Sequence, residues 1–287
     1  MSSATQPGTG RIVLATACAM LAFAGNSLLC RLALRGGTID PASFTAIRLA
    51  SGALVLALVL RLRAGEPMRG HWLSGLALFV YAAAFSWAYL ALSAGTGALL
   101  LFGAVQATML GWGLARGDRL RGGQWAGLLI AMAGLVGLLL PGLSAPSPVH
   151  AALMLAAGVA WGVYSLRARG AGDPTAATAG NFVRSVPWGL AMLAAAWPQA
   201  HAAGDGVVLA VLSGALASGL GYAVWYTALR GLRPASAASV QLSVPVIAAL
   251  GGVLLLGEPL GWRLALCSVA VLGGIAAVIA LARPGRP

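Results

Sequence analysis

Charge is what this chain has least of. Six of its 287 residues are acidic, 8% carry any charge, and lysine is absent altogether. A soluble domain carries about 25% charged residues; without them a globular surface cannot be covered by polar groups. Cysteine is nearly absent too. Cys18, Cys30 and Cys267 all fall inside apolar runs. An odd count with none in a loop excludes a disulfide framework, and the three read as small core residues. No nucleophile elbow, zinc-ligand spacing, phosphate loop or nicotinamide fingerprint is present. The sequence therefore points to no enzyme, no cofactor and no metal. Finally, no Asp, Glu or His falls in the middle of an apolar run. Asp40, Glu66, Asp118, Asp173, Asp205 and Glu258 lie in loops or at run ends, as do His71, His150 and His201. That removes the ionisable group a proton-coupled carrier generally needs in its path. It also removes the oxygen ligands a divalent-metal carrier would use.

What the chain does have is apolar length. Sixty per cent of it is hydrophobic, which excludes a disordered chain and fits an all-α integral membrane protein. Ten apolar runs can be marked, over 12–34, 41–60, 72–92, 97–115, 123–140, 149–166, 174–197, 206–229, 234–256 and 261–281. A helical span needs about 20 residues, so ten spans leave room for little else. The third and fourth runs are parted only by Ser93-Ala94-Gly95-Thr96. The first, with Arg11 before it and small residues at 22–25, mimics a cleavable signal peptide. With nine runs behind it, it reads as an uncleaved first helix.

The net charge of +12 comes entirely from arginine. The arginines stand singly or in twos and threes between apolar runs, so no basic face tracks a phosphate backbone and nucleic acid is excluded as a partner. With both termini placed in the cytoplasm, one side collects Arg11, Arg61, Arg63, Arg69, Arg116, Arg119, Arg121, Arg167, Arg169, Arg230, Arg233, Arg283 and Arg286, and the other only Arg35 and Arg263. This is a strong positive-inside bias that alternates through every loop. Arginine without lysine, beside abundant Ala and Gly, suggests GC-rich codons and a bacterial source. The expected location is a bacterial inner membrane, multi-pass, with the lipid bilayer as the chain's constant partner.

The second half echoes the first. Tyr89-x-Ala91-Leu92 returns as Tyr226-x-Ala228-Leu229, Val105-Gln106 as Val240-Gln241, and Gly117-Asp118-x-Leu120 as Gly257-Glu258-x-Leu260, at offsets of 137, 135 and 140 residues. Asp40-Pro41 opens the second run as Asp173-Pro174 opens the seventh, and Arg48 has Arg184 for a counterpart. Two units are expected, 1–145 and 146–287. Each holds five spans, an odd number, so the second copy enters the membrane inverted. Inverted repeats around a central cavity are a transporter signature.

At several of these positions the chain resembles the EamA-like transporters of the drug/metabolite transporter superfamily. The features are Phe44-Thr45-Ala46-Ile47-Arg48-Leu49-Ala50-Ser51-Gly52, Ala157-Gly158-Val159-Ala160-Trp161-Gly162-Val163-Tyr164-Ser165 and Leu256-Gly257-Glu258-Pro259-Leu260. The resemblance implies ten helices in two inverted repeats, a central substrate cavity and export of small metabolites. Within the superfamily the chain is similar to the YddG-type amino-acid exporters. Asp118 departs from the pattern, since no proline follows it as Pro259 follows Glu258.

The candidate cavity residues are neutral and polar, or aromatic. Gln106 and Gln241 are repeat-related amides inside spans, and an amide in lipid would waste its hydrogen bonds. With Asn26, Tyr81, Trp161, Tyr164 and Tyr222 they form the expected substrate cavity. Amides suit the ammonium and carboxylate of a zwitterion; aromatic faces suit apolar side chains and cations. Core packing or interhelical bonds remain open for each. Arg31 is expected to snorkel to the interface. Arg48 and Arg184, within spans, need partners, either an anion or the backbone carbonyls of a neighbouring helix. Pro187 and Pro245 permit kinks. Gly103-Ala107-Gly111 and Gly123-Gly127 suggest close helix contacts; Gly273-Gly274 and the fifth-span glycines suggest the same or a dimer face, for a monomer or weak homodimer. The expected activity is alternating-access export of small metabolites, foremost neutral or aromatic amino acids, with cationic drug efflux, and behind it a non-transport membrane protein, as the alternatives.

Overall fold

A computed structural model describes residues 9–63, 67–117, 119–140, 145–168, 173–229, 231–232 and 234–281. Glu66, Asp118, Arg169, Arg230, Arg233, Arg283 and Arg286 lie outside them. The helices are α1 (Thr9–Arg35), α2 (Pro41–Leu62), α3 (Trp72–Ala88), α4 (Ala94–Ala115), α5 (Gly122–Leu139), α6 (Pro148–Arg167) and α7 (Pro174–Ala195), then α8 (Gly204–Leu229), α9 in two pieces (Pro234–Gln241 and Ser243–Leu256) and α10 (Trp262–Ala280). Among the described residues there is no strand beyond one isolated bridge, Ile39 to Ala202.

Eight of these helices are long and apolar enough to cross a membrane, which makes this a multi-pass membrane protein. The two others fall short for different reasons. α3 has 17 residues, under the ~20 of a full span. α7 has 22 residues but carries Thr175, Thr178, Asn181 and Ser185 on one buried face. Spaced three or four apart, they form a polar stripe turned away from lipid.

Caps set the helix starts. Asp40 Oδ1 accepts from the amides of Ala42 and Ser43, and Asp173 Oδ1 from that of Thr175, each with proline at the first helical position. This is the N-terminus chemistry that the Asp-Pro pairs imply. Gly117 (φ 99°) and Gly257 (φ 63°) both take the left-handed conformation that ends a helix.

Two helices depart from α geometry. Residues Leu212–Leu220 of α8 wind as a π-helix. In α9 the helix breaks at Leu242, where Pro245 lacks the N–H that would bond the Gln241 carbonyl four residues earlier. Pro187 lies inside α7 on an exposed face.

Glycines mate α5 with α10. A Cβ on Gly127 would sit 2.7 Å from Gly274 O, and one on Gly274 2.4 Å from Gly127 O, so these backbones touch within the chain. The α4 stripe behaves otherwise than expected: nothing lies near Gly111, Gly103 has only ordinary contacts, and Ala107 is exposed. Close approach to α4 comes instead from α6, whose Gly158 and Gly162 face Leu101, Ala104 and Thr108.

The connections sort into two ends. At the arginine-rich end, segment 67–71 lies along α7, with Arg69 N donating to Ala176 O and His71 N to Asn181 Oδ1. At the opposite end, segment 36–40 is stitched to 200–203 by Asp40 N to His201 O, Ala203 N to Thr38 O and His201 N to Asp40 Oδ2.

Candidate functional site

A buried polar network crosses the middle of the bundle. Arg48, on α2, is 1% exposed. Its Nε donates to Ser218 Oγ at 3.3 Å and its Nη2 to Tyr81 Oη at 3.0 Å, while Nη1 has no partner. The guanidinium lies over the rings of Phe85 and Tyr81, 5.0 and 5.1 Å from their centroids, a cation–π geometry that replaces part of its lost hydration. Asn26 on α1 donates to Tyr81 Oη at 3.4 Å and accepts from Ser213 Oγ at 2.7 Å.

The π segment makes this network possible. In an α-helix, residues five apart diverge by about 140°, so Ser213 and Ser218 would face different ways. The i→i+5 winding returns them to one face, where both meet it. Glycine allows α8 to come this close, since a Cβ on Gly214 would lie 2.2 Å from Arg48 O.

Aromatic rings line the space beside the network. Trp161 stacks on Tyr164 at 5.2 Å and meets Tyr81 at 4.9 Å and Tyr222 at 5.1 Å. Trp161, Tyr164 and Tyr222, with Gln106, Gln241 and Tyr226, line a cavity of about 330 Å³. It is bordered by Ala168, Pro174 and Leu229, at the arginine-rich ends of α6, α7 and α8. Past Trp161, Tyr222 and Gln241 the space narrows into a chamber of about 20 Å³ bounded by Asn26, Tyr81, Phe85 and Ser218. Gln106 also borders an apolar crevice of about 230 Å³ between α4, α5 and α10. At the cavity wall Tyr164 Oη donates to Thr178 Oγ1, which donates to Tyr226 Oη.

The opposite end is closed by polar contacts. Arg31 Nε pairs with Glu258 Oε1 at 2.9 Å, and its Nη1 donates to the carbonyls of Tyr89 and Leu90. Glu258 Oε2 accepts from Ala94 N at 2.8 Å, and Arg35 donates to Leu256 O. Arg31 therefore ties α1 to two connections and does not snorkel. The left-handed turn at Gly257 brings Glu258 back into the bundle. Asp40 works nearby. Burial alone would raise its pKa, but hydrogen bonds from Ser43, His201 and Ala42 outweigh it and hold the carboxyl below its usual range.

The residues singled out in the sequence thus divide. Asn26, Tyr81, Gln106, Trp161, Tyr164, Tyr222 and Gln241 line the cavity or its chamber. Arg48 stands directly behind the chamber. Arg184 does not join them: half-buried on α7, it donates to Gly180 O and packs against Gly70 and Gly75. Pro187 is likewise remote, whereas Pro245 acts at the break beside Gln241. Sequence reasoning missed Ser213, Ser218, Tyr226 and Phe23, which lines the chamber against Tyr222. Tyr226 carried a signal as the repeat partner of Tyr89; the two serines carried none under α periodicity. Among the described residues no three His, Cys, Asp or Glu side chains converge to hold a metal.

The multi-pass helical bundle thus holds a polar and aromatic cavity toward its arginine-rich end and a cluster of polar ties at the other. Residues 150–280 match the EamA-like transporter family. It is 60% identical over 272 residues to an uncharacterised protein of Pseudomonas aeruginosa, covering 94% of this chain and 95% of that one. It is similar to a protein of known crystal structure with a TM-score of 0.68 and 21% identity, over 95% of this chain and 99% of that chain, a likeness of fold.

Proposed function

We propose that this protein exports amino acids or similar small zwitterions across a bacterial inner membrane by alternating access. The observation that carries the reading is the cavity of about 330 Å³, within the size range of small-molecule sites, which joins two half-buried glutamines to an aromatic wall. Its amides offer both donors and acceptors without net charge. Two inverted units, 1–145 and 146–287, supply the mechanical rationale. The paired Asp-Pro caps and paired left-handed glycines support that division. With both termini cytoplasmic, the cavity opens to the cytoplasm and the Arg31–Glu258 cluster seals the periplasmic side.

Cationic drug efflux is the second reading, favoured by the aromatic wall. Against it, no carboxylate borders the cavity among the described residues, and the buried charge behind it is itself a cation. Purified protein in liposomes, offered a panel of amino acids and of cationic dyes, separates the two. Uptake of at least one neutral or aromatic amino acid is expected; movement of dyes alone would overturn the proposal in favour of efflux.

A further inference from the structure

Arg48 poses a problem that the fold does not solve. A buried guanidinium is costly unless charge and hydrogen bonds compensate it. Among the described residues no carboxylate reaches it: Glu258 pairs with Arg31, and Asp40, Asp173 and Asp205 stand at helix starts. Two rings and two neutral hydroxyls are its compensation, and Nη1 has no partner.

The hydroxyls give a second, independent observation. Tyr81 Oη accepts from Arg48 and from Asn26, and Ser218 Oγ accepts from Arg48. Each hydroxyl keeps one O–H to donate, and among the described residues neither proton has an acceptor. Ser213 donates to Asn26 Oδ1 and so turns the Asn26 amide nitrogen toward Tyr81. Arg48 thus donates to both Tyr81 and Ser218, Asn26 adds a second donor to Tyr81, and both hydroxyls border the chamber. Converging donors backed by a positive charge and lacking an acceptor make an anion site. The chamber, about 20 Å³, is a little above the 10–15 Å³ or so that one water needs, so it has room for one small polar end group beside the two hydroxyls.

We propose that this chamber is the carboxylate subsite for the transported amino acid. Tyr81 and Ser218 donate to the carboxylate, Arg48 balances its charge, and the ammonium lies back toward the amide oxygens of Gln106 and Gln241 and the face of Trp161. The inference rests on the transport of zwitterions proposed above and specifies how one end of the substrate is recognised.

The test uses the full chain, purified and reconstituted, with three probes of one skeleton. These are L-phenylalanine, L-phenylalaninamide, which lacks the carboxylate, and 3-phenylpropanoate, which lacks the ammonium. Competition for labelled phenylalanine uptake and thermal protection in detergent are both measured. Phenylalanine and phenylpropanoate should bind, and the amide should bind about tenfold more weakly or worse. Tyr81→Phe and Ser218→Ala, which preserve ring and backbone, should each weaken the two carboxylates about tenfold and leave the amide unchanged; the melting temperature of each variant reports its folding. An amide that binds as tightly as the acid, or variants that keep wild-type discrimination, would overturn the subsite. If phenylalanine moves without discrimination, amino-acid transport stands and the subsite falls. If none of the three probes is bound or moved, the subsite falls, and amino-acid transport is judged on the wider panel.

Discussion

Asp40 occupies a single position but joins two segments: it caps α2 and accepts from His201, on the α7–α8 connection. Its carboxyl is held below the usual range. A depressed folded pKa adds stability above the unfolded value of about 3.9, lost as pH falls through the folded value. The melting temperature of the wild type should therefore drop on acidification below about pH 4. Asp40→Asn keeps one acceptor for the α2 amides but sets an NH2 group against His201 N–H. It should melt lower at pH 7 and show a flatter acid limb. Asp40→Ala should cost about 1–2 kcal/mol at neutral pH. Gln106 and Gln241 make a different residue-scale case. If they contact substrate, alanine at either should lower transport efficiency by about 1–3 kcal/mol, roughly 5- to 150-fold. If they are only interhelical bonds, the melting temperature falls and flux per folded molecule stays unchanged. Both quantities come from one preparation.

At the scale of elements, the π segment of α8 is what assembles the network. A Cβ on Gly214 would meet Ser51 Oγ and the Arg48 carbonyl, at 2.0 and 2.2 Å. Gly214→Ala must push α8 off α2 and carry Ser213 and Ser218 with it. The expected cost is about 1–3 kcal/mol of stability, with a loss of transport beyond what the folded fraction explains. Gly273→Ala, where nothing lies within 4 Å, is the control and should be neutral in both assays. The closing cluster is a second element-scale device. Glu258 ties α1 to the N-terminus of α4, so Glu258→Gln leaves Arg31 without its counter-charge. The loss should approach the roughly 3 kcal/mol of a broken buried pair, read as a lower melting temperature. A Ser27→Cys reporter, buried on α1 at the chamber wall, in a cysteine-free background should then react faster with an impermeant thiol reagent. An unchanged rate would mean that the cluster is a structural tie only.

For the whole molecule the decisive quantity is where its ionisable groups lie. Among the described residues every Asp, Glu and His stands at a helix end or in a connection. Arg48, the charged group of the buried network, stays charged at any working pH. Transport of a neutral amino acid should then follow its own gradient. In liposomes with an imposed pH gradient and equal substrate on both sides, no accumulation is expected. Accumulation above equilibrium would place a titrating group in the path and refute the coupling argument.

The bilayer explains why so much could be read in advance. A spanning segment must satisfy its backbone internally and present apolar side chains, so length and hydropathy mark the runs that became α1 to α10, and the Asp-Pro pairs mark two of their starts. In α7 the apolar count does not tell that Thr175, Thr178, Asn181 and Ser185 share one buried face. Neutral polar residues inside spans were also legible, because an amide or phenol at that depth must face protein or a cavity. What hydropathy cannot carry is geometry that depends on a neighbour. Arg48 and Arg184 look alike in sequence, yet only one meets the aromatic network, while the other bonds its own helix carbonyl at Gly180. Ser213 and Ser218 share a face only because α8 unwinds into a π-helix against the backbone of α2. The π segment lies where the α8 backbone comes closest to α2, at Gly52 and Gly214, a long-range contact that 3.6-residue periodicity does not carry.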